Sequence, residues 1–211
     1  VYQIVEEPLL IYKFPKSERE ERVYKALEEV KLKPPEEFFF KYPHMLSGGQ
    51  RQRVNIARAL ILNPIYIVAD EPVSMIDASS RAEILYLLKE LQIKNNLTFL
   101  YITHDIATAK YFSDKMAVMY LGKIVEYGNP KDIIREPKHP YTQALIEAVP
   151  EPDPKNKDRL RKVVSGEPPN PINVPSGCRF HPRCPYFIKG VCDIKEPELK
   201  KVKWEVSCHL Y

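Results

Sequence analysis

The sequence predicts an α/β fold in which helices cover a parallel sheet, followed by a small Pro-rich extension stapled by metal. Two short apolar runs, Ile65–Ala69 and Thr98–Thr103, flank a segment of helical period and end in polar residues. Strand, helix, strand order of this kind builds a parallel sheet with helices packed on it. The texture then changes from Pro150 onward, with prolines at 150, 152, 154, 168, 169, 171, 175, 182 and 185. All 4 cysteines fall in that last stretch.

Each element has a local cause. Glu18 to Val30 carries apolar residues at Val23, Ala26, Leu27 and Val30, the three- and four-residue spacing of one helix face. Pro34-Pro35 stops that helix. Ser47 can cap a second helix, whose apolar side includes Val54, Ala57, Leu60 and Ile61. Ile65–Ala69 reads as a strand buried on both faces, ended by Asp70-Glu71-Pro72. Ser80 and Glu83 have capping-box spacing ahead of Ile84, Leu87, Leu88 and Leu91, so a helix is expected there. Thr98–Thr103 is the second buried strand. Met116–Tyr120 and Ile124–Tyr127 flank Gly122-Lys123 as a hairpin. The prolines after residue 150 exclude long helices and central strands there, so the extension needs some source of order other than a large core.

Composition narrows the function classes. With 211 residues, 44% hydrophobic and 28% charged, the chain can bury a core. A net charge of +4 with interspersed signs gives no reason to expect nucleic acid. No apolar run reaches the length of a membrane span. The opening residues have neither a basic region nor a cleavage site, so they are not a signal peptide. They lack Met and begin in mid-pattern, and truncation of a longer protein is expected.

The chemistry-bearing residues gather in two places. Leu46-Ser47-Gly48-Gly49-Gln50 opens a helix with backbone N–H groups at its positive end, which suits a phosphate. Asp70 and Glu71 follow the first buried strand, and His104-Asp105 the second. The carboxyl ends of parallel strands are where open α/β sheets bind ligands. There Asp70 is placed to meet Mg²⁺ and Glu71 to polarise an attacking water. In the extension, Cys178, Cys184, Cys192 and Cys208 lack the short C-x-x-C spacing of zinc ribbons. Four thiolates can hold Zn²⁺ or an iron–sulfur cluster, and spacing alone leaves both open, together with free thiols and disulfides.

These motifs, in this order, resemble the ATPase subunits of ABC transporters. Leu46–Gln50 matches the family signature, Ile65–Glu71 its Walker B strand with the catalytic Glu, and Thr103-His104-Asp105 its switch-histidine loop. Ser74-Met75-Ile76-Asp77 resembles the D-loop, with two apolar departures. The resemblance implies a partial P-loop-type ABC ATPase core with a helical subdomain. It divides the chain into 1–46 (helical subdomain portion), 47–149 (ATPase core) and 150–211 (Cys-rich extension). It implies two such subunits clamping ATP and Mg²⁺ head to tail. Ser47, Gly48, Gly49, Gln50, Asp70 and Asp77 would then serve nucleotide binding, with Glu71 as base and His104 at the γ-phosphate. No Gly-x-x-x-x-Gly-Lys-[Ser/Thr] loop occurs, and the Q-loop is also absent. This chain alone is therefore expected to bind ATP poorly and to be inactive.

His139-Pro140-Tyr141-Thr142, Gly166-Glu167-Pro168-Pro169 and Gly177-Cys178-Arg179-Phe180-His181-Pro182-Arg183-Cys184 are similar to the C-terminal extension of oligopeptide/dipeptide importer ATPases. In that branch the four cysteines are assigned to a [4Fe–4S] cluster, with Zn²⁺ as the alternative; His181 and His209 read as bystanders. The resemblance implies peptide uptake at the cytoplasmic face of the cell membrane. The implied partners are a second ATPase subunit (homo- or heterodimer), transmembrane permease subunits and an extracellular substrate-binding protein. Alternatives are an oligosaccharide importer of the same branch, a non-catalytic partner lending only its signature face, and a soluble ABC ATPase acting on nucleic acid or ribosomes.

Overall fold

The computed structural model describes residues 1–74, 76–149, 166–167 and 169–211. Met75 and Pro150, Pro152, Pro154 and Pro168 lie outside the described residues. The chain divides into two compact units, Val1–His104 and Asp105–Tyr211.

The first unit opens with α1 (Tyr2–Ile11), α2 (Lys16–Glu29), the short α3 (Glu36–Phe39), a 3-10 turn (Pro43–Met45) and α4 (Gly48–Leu60). α1, α2 and α4 pack on one another, burying Val5, Leu9, Val23, Leu27, Val54 and Ala57. α1 was not legible in the sequence because Pro8 lies inside it. The Pro8 carbonyl nevertheless accepts from Tyr12 N at 3.1 Å, so only the bond that Pro8 itself cannot donate is lost.

β1 (Tyr66–Asp70), α5 (Ala78–Lys94) and β2 (Thr98–Ile102) follow. β1 and β2 pair in parallel from Tyr66 opposite Thr98 to Asp70 opposite Ile102, as strand, helix, strand order requires. The expectation that both strands are buried on both faces is corrected. Tyr66, Val68, Leu100 and Ile102 share one face and are each 44–54% exposed. On the other face Ala69 is buried, and Ile67, Phe99 and Tyr101 are half-buried. A continuous apolar run reports what a strand can tolerate on each face, and successive side chains point to opposite faces. Whether a face is covered depends on other elements.

The second unit begins with α6 (Ile106–Phe112), β3 (Met116–Tyr120), β4 (Lys123–Gly128), α7 (Pro130–Arg135) and α8 (Pro140–Ala148). The expected hairpin is present, with Met116 opposite Gly128 and Tyr120 opposite Lys123. Leu121 and Gly122 at its turn both have positive φ, 46° and 78°, which glycine adopts freely. Two short strands from the tail, β5 (Lys200–Lys201) and β6 (Glu205–Val206), extend this hairpin into an antiparallel sheet of order β3-β4-β6-β5. β6 therefore occupies an internal position, in a stretch free of proline. The tail also shares the hairpin's core: Phe180 is buried with Val118, Tyr120, Val125 and Ile133, and Val206 is buried where β6 pairs with β4. Among the described residues, no helix is long and apolar enough to cross a membrane.

Candidate functional site

The first site grows from the start of α4. Ser47 is the N-cap, with extended backbone, and its Oγ accepts from Gln50 N at 3.2 Å. Gln50 Oε1 reciprocally accepts from Ser47 N at 3.1 Å, completing a capping box that the Ser-x-x-Gln spacing encodes. The Ser47 hydroxyl, occupied as an acceptor, keeps its proton to donate outward, and Ser47 is exposed. Gly48 and Gly49 occupy the first helical positions, where N–H groups have no intrahelical acceptor. An anion placed there meets two amides, one hydroxyl and the positive end of the helix.

Gly49 has a second role. A Cβ on it would lie 3.3 Å from both Cβ and Oγ of Ser80, so the glycine allows the start of α4 to approach the first turn of α5. That turn is capped by Asp77, whose Oδ1 accepts from Ser80 N at 2.9 Å and from Ser79 Oγ at 2.6 Å. The Ser79 and Ser80 hydrogen bonds hold the Asp77 carboxyl far below the usual carboxylate range. The expected Ser80–Glu83 capping box is thus corrected. The cap and the helix start lie three residues earlier, and Glu83 instead pairs with Arg53 at 3.0 Å. Ser47–Gln50 and Asp77, predicted apart in sequence, are joined through Gly49 and Ser80.

At the carboxyl ends of β1 and β2, Asp70, Glu71 and His104 come to the same edge. Asp70 ends β1 opposite Ile102 and is exposed. Glu71 takes a left-handed backbone, φ 45°, unusual for a residue with a side chain. Both sides of its peptide are held. Glu71 N donates to Ile102 O at 2.9 Å, while Glu71 O accepts from Ser74 N at 3.2 Å and Ser74 Oγ at 3.1 Å. This geometry sends the side chain to His104, whose Nδ1 lies 2.9 Å from Glu71 Oε1. The His104 hydrogen bond lowers the Glu71 carboxyl below its ordinary value, so it is ionised at neutral pH and ready to accept a proton.

The second site is the four thiols, all free. Gly177, at φ 64°, brings two thiol loops together: a Cβ on it would fall 2.4 Å from Cys192 O. Cys178 N accordingly donates to Cys192 O at 2.8 Å. His181 Nδ1 and His209 Nε2 meet the carbonyls of Cys178 and Lys195 at 2.9 and 2.7 Å, fixing backbone near the thiols. Arg179 donates to the Leu121 carbonyl at the hairpin turn. Burial raises the thiols of Cys178 and Cys184 and pushes Cys208 up to about 11. Opposing that shift, the amides of Phe180, Tyr186 and Leu210, each two residues downstream, donate to the sulfurs of Cys178, Cys184 and Cys208. Among the described residues no group of three or more His, Cys, Asp or Glu is arranged to hold a metal ion. The metal-stapled extension expected from the sequence is therefore not assembled as an ion site.

The capped glycine helix, the paired strands and the Glu71–His104 edge define a class, the ABC-type nucleotide-binding proteins. Residues 2–74 match the ABC transporter family model. The chain belongs to the ABC transporter family of ATP-binding proteins. Residues 125–192 match the oligopeptide/dipeptide transporter C-terminal region, which places it in the oligopeptide/dipeptide branch. It is 45% identical over 212 residues to an oligopeptide transport ATP-binding protein of Bacillus subtilis, covering 99% of this chain and 64% of that one. It is 48% identical over 199 residues to a dipeptide transport ATP-binding protein of Haemophilus influenzae, covering 94% of this chain and 60% of that one. Among solved structures, CbiO1 of Clostridium perfringens, part of an ABC transporter complex, superposes with a TM-score of 0.58 at 34% identity. That match covers 64% of this chain and 53% of CbiO1. The chain spans 58–65% of the length of the curated relatives it matches.

Sequence reasoning missed Ser74 as the clamp on Glu71, Ser80 as the backing of Gly49, and the packing of half-buried Trp204 on buried Glu126 and Gly128. The sole tryptophan and a glycine closing β4 were the available signals for the last.

Proposed function

We propose that this chain is the hydrolytic and signature-bearing part of an ABC importer ATPase that energises uptake of di- or oligopeptides. The observation that carries the reading is the Glu71–His104 contact at the carboxyl edge of the parallel pair. In this reading Glu71 takes a proton from water as its oxygen attacks the γ-phosphorus. The bond to the β-phosphate oxygen breaks, ADP leaves, and the proton passes to the released phosphate. His104 donates to the γ-phosphate oxygens in that transition state. Asp70 would hold the Mg²⁺ that neutralises phosphate charge. Ser47, Gly48 and Gly49 face the nucleotide of a second ATPase subunit, with Gln50 bracing the helix start and Asp77 the adjoining turn. Residues 1–46 serve as helical subdomain, 47–149 as core and 150–211 as extension, and the complex works at the cytoplasmic face of the membrane with permease subunits and a substrate-binding protein.

The cluster reading rests on the sequence resemblance and on four free thiols, three of which have amide donors that favour the charged sulfur. A [4Fe–4S] cluster is the reading that the resemblance supports, with zinc as the alternative, since four thiolates can hold either. Bound there, the group would supply cross-linking of the loops.

Mixing the chain with a partner bearing an intact phosphate-binding loop tests the ATPase reading. Turnover should appear and should fall away with Ser47→Ala; no turnover with any such partner would refute it. Anaerobically purified protein should be brown and contain iron and sulfide, and stoichiometric zinc without iron would overturn the cluster.

A further inference from the structure

Two successive rungs join α4 to α5. Gly49, in the first turn of α4, lies against Ser80 in the first turn of α5, where an added Cβ would come within 3.3 Å of the serine Cβ and Oγ. One turn further on, Arg53 Nη2 donates to Glu83 Oε2 at 3.0 Å. Gly49 and Arg53 are four positions apart, and Ser80 and Glu83 three, so each helix presents both contacts on one face. The other nitrogen of the same guanidinium, Nη1, donates to the Val30 carbonyl at 2.9 Å. Val30 is the C-cap of α2, where carbonyls lack intrahelical donors and a cation is favoured. The Arg53 side chain is 13% exposed, and its planar fork serves three helices at once.

The start of α5 leads directly to the Glu71–His104 edge. Asp77 caps the helix through Ser79 and Ser80, and Ser74 lies three positions before Asp77. Ser74 N and Oγ both donate to the Glu71 carbonyl, and the Glu71 carboxylate reaches His104 at 2.9 Å. Three residues of backbone span at most about 10 Å, so this link has little slack to absorb a shift of the helix start. Apolar packing of Ile84, Leu87, Leu88 and Leu91 buries one face of α5, but such packing is non-directional. Directional bonds set where the helix sits along its own axis. Lys31–Glu90 and Lys94–Glu29, at 2.5 and 2.9 Å, hold its last turns, and Arg53 holds Glu83 near its start.

We propose that Arg53 is a positioning residue for the hydrolytic edge: through Glu83 it fixes where α5 starts, and so how Ser74 holds Glu71 against His104. Its importance for turnover rests on the reading of Glu71 as the base. The helix that offers its start to a phosphate thereby also braces the carboxylate that activates water. Glu83 is 67% exposed, and a pair with one partner so exposed adds little to stability. Positioning and stability therefore separate: without the Glu83 carboxylate the fold stays and the edge loosens.

Glu83→Ala removes this rung and leaves Arg53 on Val30, whereas Glu83→Gln keeps an acceptor oxygen for it. The nitrogen-15 shifts of the His104 ring, assigned by their loss in His104→Asn, are recorded for each full chain at one pH. They report the contact with Glu71, because the hydrogen bond made by one ring nitrogen sets which of the two carries the proton. Turnover is then measured with a partner bearing an intact phosphate-binding loop. Glu83→Ala should melt with the parent and move the His104 shifts. It should also lower kcat on the order of tenfold while KM for ATP stays within about twofold, the split expected of a misplaced base. Glu83→Gln should recover both the shifts and kcat. Ring shifts that stay put in Glu83→Ala overturn the inference, as does an unchanged kcat with a complementing partner. Ring shifts that move in a chain that no partner brings to turnover overturn the hydrolytic reading and leave Arg53 in its positioning role.

Discussion

His104 Nδ1 and Glu71 Oε1 stand 2.9 Å apart, although 33 residues separate them in the chain. The contact exists because two parallel strands end in register and because Glu71 turns its backbone left-handed just past the end of β1. On the proposed reading, in which Glu71 is the base, the carboxylate is ionised and aimed before any substrate arrives, which removes a reorganisation step from proton transfer.

Glu71→Gln, in a form of the protein joined to a functional phosphate-binding loop, should abolish hydrolysis and leave nucleotide binding intact. Glutamine preserves the size and the contact with His104 but cannot take a proton. Phosphate release and equilibrium binding of labelled ATP check the two halves, and normal turnover would remove Glu71 from its assigned role.

Acid should destabilise the second unit through His139. Burial lowers this imidazole from 6.5 to about 4, and its Nδ1 accepts from Tyr141 N at 3.0 Å, so the neutral ring is the one that caps α8. A depressed value means that stability is full above pH 6.5 and is lost as pH falls toward 4, by roughly 3 kcal/mol in all. Thermal melts between pH 7.5 and 4 should show a slope that His139→Asn flattens, since asparagine caps without titrating. An unchanged slope in the variant would assign the acid sensitivity elsewhere.

Alkali should act on the metal-free protein through Cys208. Its thiol is raised to about 11 by burial, above the ordinary value of 9.0. The folded form therefore resists losing a proton that the unfolded chain gives up more readily. Stability is full below pH 9 and declines as pH climbs to 11, and Cys208→Ser should level that decline in denaturant titrations. Loading the site near pH 7 should release protons, measurable in weakly buffered solution.

Gly128→Ala should destabilise the chain and release the tail, because the new methyl meets Trp204 Cβ at 2.7 Å. Trp204→Gly in the same background, which removes that Cβ, should recover part of the loss, as expected for two residues that share one space. Additive effects in chemical denaturation would show that the contact carries no energy.

Gly49→Ala tests a tighter question. Its Cβ would approach Ser80 at 3.3 Å, a few tenths of an ångström too close, so the first turn of α5 must shift. Melting should change modestly, while turnover with a complementing partner should fall more. Pairing the change with Ser80→Gly should restore melting.

What the sequence by itself determined is local. The capping box of Ser47 and Gln50, the strand ending at Asp70, the hairpin around Gly122 and the order of the chemical motifs all depend on residues within a few positions of one another. Tertiary structure alone decided the rest. Asp77 and not Ser80 caps α5, Pro8 sits inside a helix, one face of the β1–β2 pair is open, and Trp204 reaches Glu126 across 78 positions. Periodicity and caps reflect the backbone's own geometry over one or two turns, so they can be read in order along the chain. Close approaches such as Gly49 to Ser80 or Gly128 to Trp204 arise only when distant elements compete for the same space, and which pair meets is a property of the packed whole.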